Sequence, residues 1–318
     1  MRSFLNPETW LRFSCVLGLL LAGQSSAARP SATWIDTDLS IGSPIREVDD
    51  AYALLVVANS PRLRIVGVSA TYGNAPLPAV ARRTAELFAR LDRPRPVYPG
   101  ASAASDLGRS TEASESLDRA LAQGTRLTYL ALGPLTNLAT FLRLHPDRAT
   151  QFEQIIAVAG KSPGATLGFG PGEKFRIHDA NVFKDPAALR VILESRIPLL
   201  LAPIETSSRL LIEREDLDRL AAGPPAAQFV ARKSRFWLWF WKQIPRARGG
   251  PIFDALAAVA AARPSLLDIE KRRAHFDSAG NLIVERSPAG ATGREVSFVV
   301  GFAPETKEFI LEQMNERR

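Results

Sequence analysis

From about residue 32 to 204, apolar β-branched runs alternate with stretches whose apolar positions recur every three or four residues. The first pattern predicts strands at 33–37, 63–71, 127–131, 155–159 and 198–202. The second predicts helices at 50–59, 78–91, 135–144 and 185–195. Such alternation implies an α/β fold, with a mixed, mostly parallel sheet flanked by helices. In sheets of this kind ligands bind at the C-terminal ends of the strands, where the loops gather. The last third is patterned differently. A helix from 225 ends in "RFWLWFWK", then come a Gly/Pro/Arg break and an Ala-rich helix, "FDALAAVAAARPSLL". A β-hairpin at "HFDSAGNLIVE", a strand at "EVSFVVGF" and a closing helix follow. No repeat or low-complexity linker interrupts this, so residues 28–318 read as a single domain.

The N-terminus breaks the pattern. Arg2 and Arg12 precede an apolar run at 13–22, and Ser25-Ser26-Ala27 offers a small-residue cleavage site. This predicts a signal peptide over 1–27 and export of the mature chain, with no stable membrane anchor. The one cysteine, Cys15, lies inside that leader. Disulfides, zinc–thiolate sites and cysteine nucleophiles are therefore excluded from the mature chain.

Overall composition changes little, at 46% hydrophobic and 23% charged residues, as in an ordinary globular protein. The formal charge of +7 raises the question of nucleic acid. The basic residues are scattered and mostly Arg, with no run long enough for a binding arm, so no nucleic-acid partner is expected. Neither charge nor pattern decides whether the chain forms a homo-oligomer.

The candidate chemistry lies in residues 36–54, "DTDLSIGSPIREVDDAYAL". Asp36, Asp38, Asp49 and Asp50 crowd between the end of the first strand and the start of the first helix. Like charges this close are costly unless a cation sits among them. Polar residues also follow later strands: Asn74 in "TYGN", the stretch "LGPLTNLA", Asp179 and Asn181 in "HDANVFKDPAAL", and Asp254 in "GGPIFDALAAVA". Carboxylates and amides from separate loops, with no His or Cys pair, form a hard-oxygen set suited to Ca²⁺ rather than zinc. Two other stretches, "GKS" at 160–162 and "GFGPG" at 168–172, lack the spacing and the following helix of a phosphate loop.

In order, "DTD…VDD", "GN" at 73–74, "LGPLTNLA" at 132–139, "DANVFKDP" at 179–186 and "FDALA" at 253–257 resemble the inosine–uridine-preferring nucleoside hydrolase family. The likeness spans about residues 33–262. It implies a Ca²⁺-dependent hydrolase of the N-glycosidic bond of nucleosides or related small-molecule N-ribosides. It implies Asp38, Asp50, Asp254 and the Leu132 carbonyl as metal ligands, with Asp38 also deprotonating the attacking water. Asp49, Asn74 and Asn181 would bind ribose hydroxyls, and Asp179 the 5′ side.

The chain departs from the family pattern in four places. The spacer between the aspartate pairs is ten residues, 39–48, instead of three, and would rim the sugar pocket. The family's Glu is Asp179, one methylene shorter. The family's Asn in the loop 160–175 has no clear counterpart. The histidine that precedes the last aspartate, a leaving-group acid in part of the family, is Phe253. His178 is the best placed histidine to replace it, although its position also fits an ordinary loop residue. Trp237 and Trp241, one helical turn apart, fit either a buried stripe or a pair flanking the base. Retained aspartates favour an enzyme; Phe253 and the long spacer leave open a ribose-binding protein without turnover.

Overall fold

The computed structural model describes residues 29–43, 46–91, 94–286 and 293–316. The expected leader lies outside the described residues. The strands are β1 (Ser31–Thr37), β2 (Leu63–Ala70), β3 (Val97–Pro99), β4 (Leu127–Ala131) and β5 (Phe152–Ala157). They continue as β6 (Gly168–Phe169), β7 (Phe175–Arg176), β8 (Leu199–Leu201), β9 (Leu211–Ile212) and β10 (Gly250–Pro251). The last are β11 (Leu267–Phe276), β12 (Leu282–Glu285) and β13 (Arg294–Phe302). Among the described residues, nine strands form one sheet in the order β12-β11-β13-β8-β5-β4-β1-β2-β3. From β3 to β13 neighbouring strands pair in parallel; β11 runs antiparallel to both β13 and β12. The expected mixed, mostly parallel sheet is what forms.

Strands covered on both faces read as continuous apolar runs, and every residue of β4, "LTYLA", is buried. Side chains still alternate between the faces. In β1, Ile35 joins the core made with helices Asp49–Asn59, Pro225–Gln243, Ala255–Ala262 and Thr306–Asn315. Trp34 joins the opposite core, made with helices Glu112–Ala122, Thr136–Leu144 and Pro186–Glu194. The Trp34 indole stacks on Tyr98 of β3 at 5.8 Å and donates to Ser69 Oγ at 2.9 Å.

Several elements were not legible in the hydrophobic pattern, β3 and helix Glu112–Ala122 among them. β3 has three residues, too few for a periodicity to register. Helix Glu112–Ala122 buries a sparse stripe, Ala113, Leu117 and Leu121, and is stabilised by a capping box between Thr111 and Ser114. β5 also starts and ends earlier than the apolar run at 155–159, because Val158 and Ala159 leave the ladder toward the loop that carries Asp179.

In the last third the predicted hairpin forms as β11–β12, and β13 lies between β11 and β8. β13 thereby joins the hairpin to the parallel strands. Phe298, fully buried on β13, packs in the second core. Phe298→Ala should lower the unfolding free energy by about 3–5 kcal/mol, the usual cost of truncating a buried Phe. Urea denaturation measures this; a loss near zero would mean that β13 is not integral to the core.

Candidate active site

Loops gather at the C-terminal ends of the central strands and bring the residues of the sequence constellation together. β1 ends in Thr37 and runs into Asp38. Helix Asp49–Asn59 starts on Asp49 and Asp50, where the N-terminal end of the helix dipole favours negative charge. β2 leads to Gly73 and Asn74, β4 to Leu132 and Gly133, β5 through a long loop to Asp179 and Asn181, and Asp254 opens helix Ala255–Ala262.

Asp36, Asp38, Asp49, Asp50 and Asp254 are all buried. Oxygens of Asp49, Asp50 and Asp254 lie within 4.8 Å of one another. That is about twice the 2.3–2.6 Å length of a Ca²⁺–oxygen bond, so one ion can reach all three. Asp50 Oδ1 accepts from the Thr37 hydroxyl and, at 3.2 Å, from the Asp38 N–H. Asp50 Oδ2 and Asp49 Oδ1, by contrast, are buried and meet no donor. Orphaned buried oxygens of this kind are rare and call for an occupant. The donor set is all hard oxygen, so the residues present fit a divalent cation of the Ca²⁺ type.

Asp38 is held apart from that triad. Its Oδ2 accepts from the Asn74 N–H at 2.7 Å, and its Oδ1 faces the Asn74 side-chain amide at 3.4 Å. Gly73 makes this approach possible, because a Cβ there would overlap the Asp38 carboxylate. The glycine of the "GN" pair is thus a steric requirement of the site. Asp36 Oδ1 accepts from Ser69 Oγ at 2.6 Å and from Asn137 Nδ2 at 2.8 Å.

The remaining candidates are placed as follows. Asn181 Nδ2 donates to the Leu132 carbonyl at 2.8 Å and to the Val158 carbonyl at 3.0 Å. Asp179 caps its helix through the Val182 N–H and accepts from the Gly160 N–H at 2.7 Å. Asp254 occupies a helix-cap position, but its side chain makes no capping bond and turns to the triad. His178 is exposed and stacks on Phe183. Trp237, Trp241 and Phe253 are buried; Trp241 meets Phe169, Phe175 and Phe253 edge-on at 4.8–6.2 Å.

The ten-residue spacer is more than a rim. Leu39, Ile41 and Val48 enter the core, and Ser40 Oγ donates to the Glu47 carbonyl at 2.6 Å. Glu47 Oε2 accepts from the Trp237 indole at 2.7 Å, tying the spacer to helix Pro225–Gln243. Sequence reasoning gave Glu47 only a place in the rim of the pocket and assigned no role to Thr37 or Asn137. The visible signals were a third carboxylate in "REVDD", the hydroxyl inside "DTD" and the amide of "LTN".

Burial sets the electrostatics. Desolvation, reinforced by the neighbouring carboxylates, pushes Asp38, Asp49 and Asp254 well above the ordinary carboxylate range. Asp50 rises for the same first reason, opposed by its bond from Thr37. Burial raises Asp36 to about 7 against the pull of Ser69 and Asn137, Glu47 to about 7 against that of Trp237, and Asp179 to about 6. A divalent cation among these carboxylates would oppose the upward shifts and favour their ionised form.

A sequence profile described as Inosine-uridine preferring nucleoside hydrolase matches residues 33–308. The chain belongs to that family. The pyrimidine-specific ribonucleoside hydrolase RihA of Salmonella enteritidis PT4 is 23% identical over 287 residues, covering 80% of this chain and 88% of its own. RihB of Escherichia coli, also a pyrimidine-specific ribonucleoside hydrolase, is 24% identical over 234 residues, covering 65% and 72%. Among solved structures, the plant nucleoside hydrolase PpNRh1 superposes with a TM-score of 0.75 at 21% identity, over 91% of this chain and 98% of its own. A purine-preferring ribonucleoside hydrolase from Gardnerella vaginalis gives 0.74 at 18%, over 89% and 98%. The nucleoside hydrolase fold thus accounts for the mostly parallel sheet and for the loops that converge on the aspartates.

An acid whose folded pKa is raised binds more protons folded than unfolded between its two pKa values, so stability is lost as pH rises through that window. For Asp36 the window runs from 3.8 to about 7. In chelator, the protein should become less stable from about pH 4 to pH 7, and Asp36→Asn should flatten that decline. Urea midpoints at the two ends of the range measure it; equal slopes would contradict the burial argument.

Proposed function

We propose that this chain hydrolyses the N-glycosidic bond of ribonucleosides or related N-ribosides, releasing ribose and free base, and that it uses Ca²⁺ to do so. The observation that carries the reading is the buried Asp49–Asp50–Asp254 triad with two orphaned oxygens, set beside Asp38 at the strand ends of a nucleoside hydrolase fold. Asp49, Asp50 and Asp254 would hold the ion, with Asp38 and the Leu132 carbonyl as the further donors. When bound, the ion supplies positive charge that offsets the carboxylate repulsion and makes a nearby water more acidic.

The rest of the reaction belongs to the side chains. Asp38, fixed by the Asn74 N–H, takes a proton from the attacking water. The water oxygen bonds to ribose C1′ as the C1′–N bond breaks through an oxocarbenium-like state, and the bonding pair leaves on the base nitrogen. The Asn181 amide nitrogen is committed to two carbonyls, which leaves its oxygen for a sugar hydroxyl. Asn74 and Asp179 complete the ribose contacts. Trp237, Trp241 and Phe253 form an aromatic wall on the base side. Phe253 cannot protonate a leaving base, so that proton comes from solvent or from the exposed His178.

Phe253 also supports a second reading, a nucleoside-binding protein without turnover. Release of reducing sugar from inosine, uridine and a nitrophenyl riboside, with and without chelator, separates the two. The panel spans both base classes because the relatives include pyrimidine-specific and purine-preferring enzymes. The charged-then-apolar N-terminus supports export as part of the same reading.

Asp38→Asn should lower kcat by about 10²–10⁴, the scale of a lost general base, while the melting temperature stays near the parent's. Turnover within a few-fold of the parent would remove Asp38 from that role. Ca²⁺ added after chelator stripping should raise the melting temperature, because it binds only the folded state. The rise should vanish in Asp254→Asn; calorimetry showing no calcium effect on the parent would overturn the ion assignment.

A further inference from the structure

Helix Pro225–Gln243 has two unlike faces. The buried face carries Trp237 and Trp241 toward the candidate active site. The other face exposes Phe236 at 51% and Trp239 at 52%, with their rings stacked at 5.3 Å, and Ile244 just past the helix end at 58%. Three large apolar side chains half or more exposed within nine residues, two of them stacked on each other, are the kind of surface that marks an interaction site.

The segment that carries these side chains is rich in positive charge. Between Asp218 and Asp254 the chain contains no acidic residue, whereas Arg232, Lys233, Arg235, Lys242, Arg246 and Arg248 all fall there and all are exposed. Arg235 pairs with Asp218 at 3.3 Å. Lys242, Arg246 and Arg248 have no ion-pair partner within 4.0 Å among the described residues. A cavity of about 310 Å³ opens at the same end, between Gln243–Arg246 and the 169–175 loop. It is lined by Lys174 and Arg246 together with Phe169, Phe175 and Ile244, a combination of cations and apolar surface.

We propose that this face docks reversibly on an anionic phospholipid surface. Exposed Trp and Phe flanked by Lys and Arg match the chemistry of the headgroup–acyl boundary: the rings enter it, and the long basic side chains reach back to lipid phosphates. Lys174 and Arg246, at the mouth of the cavity, would take one such phosphate. A second copy of this chain fits the patch poorly. A two-fold interface sets the same surface against itself, so a surface rich in unpaired cations would meet another of the same sign. The contact is peripheral, since no helix among the described residues is long and apolar enough to cross a membrane.

The test is co-sedimentation of the full chain with vesicles of phosphatidylglycerol and phosphatidylcholine, against vesicles of phosphatidylcholine alone. Binding is expected to the anionic vesicles only, and should be lost in about 1 M NaCl, where the screening length falls to about 3 Å. Phe236→Ala with Trp239→Ala should weaken that binding roughly tenfold with an unchanged melting temperature. The single variant Trp239→Phe should keep the binding but lose the blue shift of tryptophan fluorescence that accompanies it. No pelleting with anionic vesicles, or equal pelleting with neutral ones, would overturn the proposal. So would a homodimer in solution that the double substitution dissolves, which would assign the patch to a second copy.

Discussion

Five aspartates packed into the interior at the ends of parallel strands are the constraint to which the rest of the site is built. In a low-dielectric interior each carboxylate needs donors or a cation, and repulsion among neighbours raises the cost of every one left ionised. The chain meets this by dividing the oxygens. Asp36 Oδ1 is satisfied by Ser69 and Asn137 while its Oδ2 meets no donor, Asp38 is held by Asn74, and one edge of Asp50 by Thr37 and a backbone N–H. In the triad itself, the oxygens left over on Asp49 and Asp50 lie beside Asp254 and meet no donor. A site that holds its acceptors so and leaves some unpaired is preorganised for a cation, because no protein group has to be displaced when one arrives.

This arrangement depends on the scaffold as much as on the aspartates. Parallel strands place all their C-terminal loops at one edge of the sheet, so residues far apart in sequence meet without long excursions. Close approach then needs small residues at fixed places. Gly73 lets the 72–74 turn lie on the Asp38 carboxylate, and a side chain there would force the two apart. Asn137 extends the network sideways, accepting from the Ala101 N–H while its amide holds Asp36, so β1 and the loop after β3 are tied through one side chain.

Helix Pro225–Gln243 performs two functions with one aromatic run. Residues four apart point the same way, so Trp237 and Trp241 turn inward together, and Phe236 and Trp239 turn outward. The inward pair braces the site: Trp237 holds Glu47 of the spacer, and Trp241 fills the aromatic cluster with Phe253. A histidine in place of Phe253 would sit among apolar rings, where burial disfavours the charged imidazolium that an acid needs. The outward pair is half exposed and its rings stack on each other, so its role lies outside the core.

Period and motif settled the fold class, most central strands and the helices behind them, because apolar periodicity is a local property that a two-sided sheet imposes on each strand. The aspartate pairs and the order of the "GN", "LGPLTNLA" and "FDALA" segments were enough to point to the loops where the structure gathers its buried aspartates. Short β3 and the sparse helix Glu112–Ala122 escaped because three residues, or three apolar side chains, carry too little pattern. Which oxygens converge was a question for the tertiary structure alone. It brought Asp49 into the triad, left Asp38 with Asn74, committed the Asn181 amide to Leu132, and joined Glu47 to Trp237 across 190 residues. Those pairings depend on the register of strands and the packing of helices distant in sequence, and spacing along the chain does not record them.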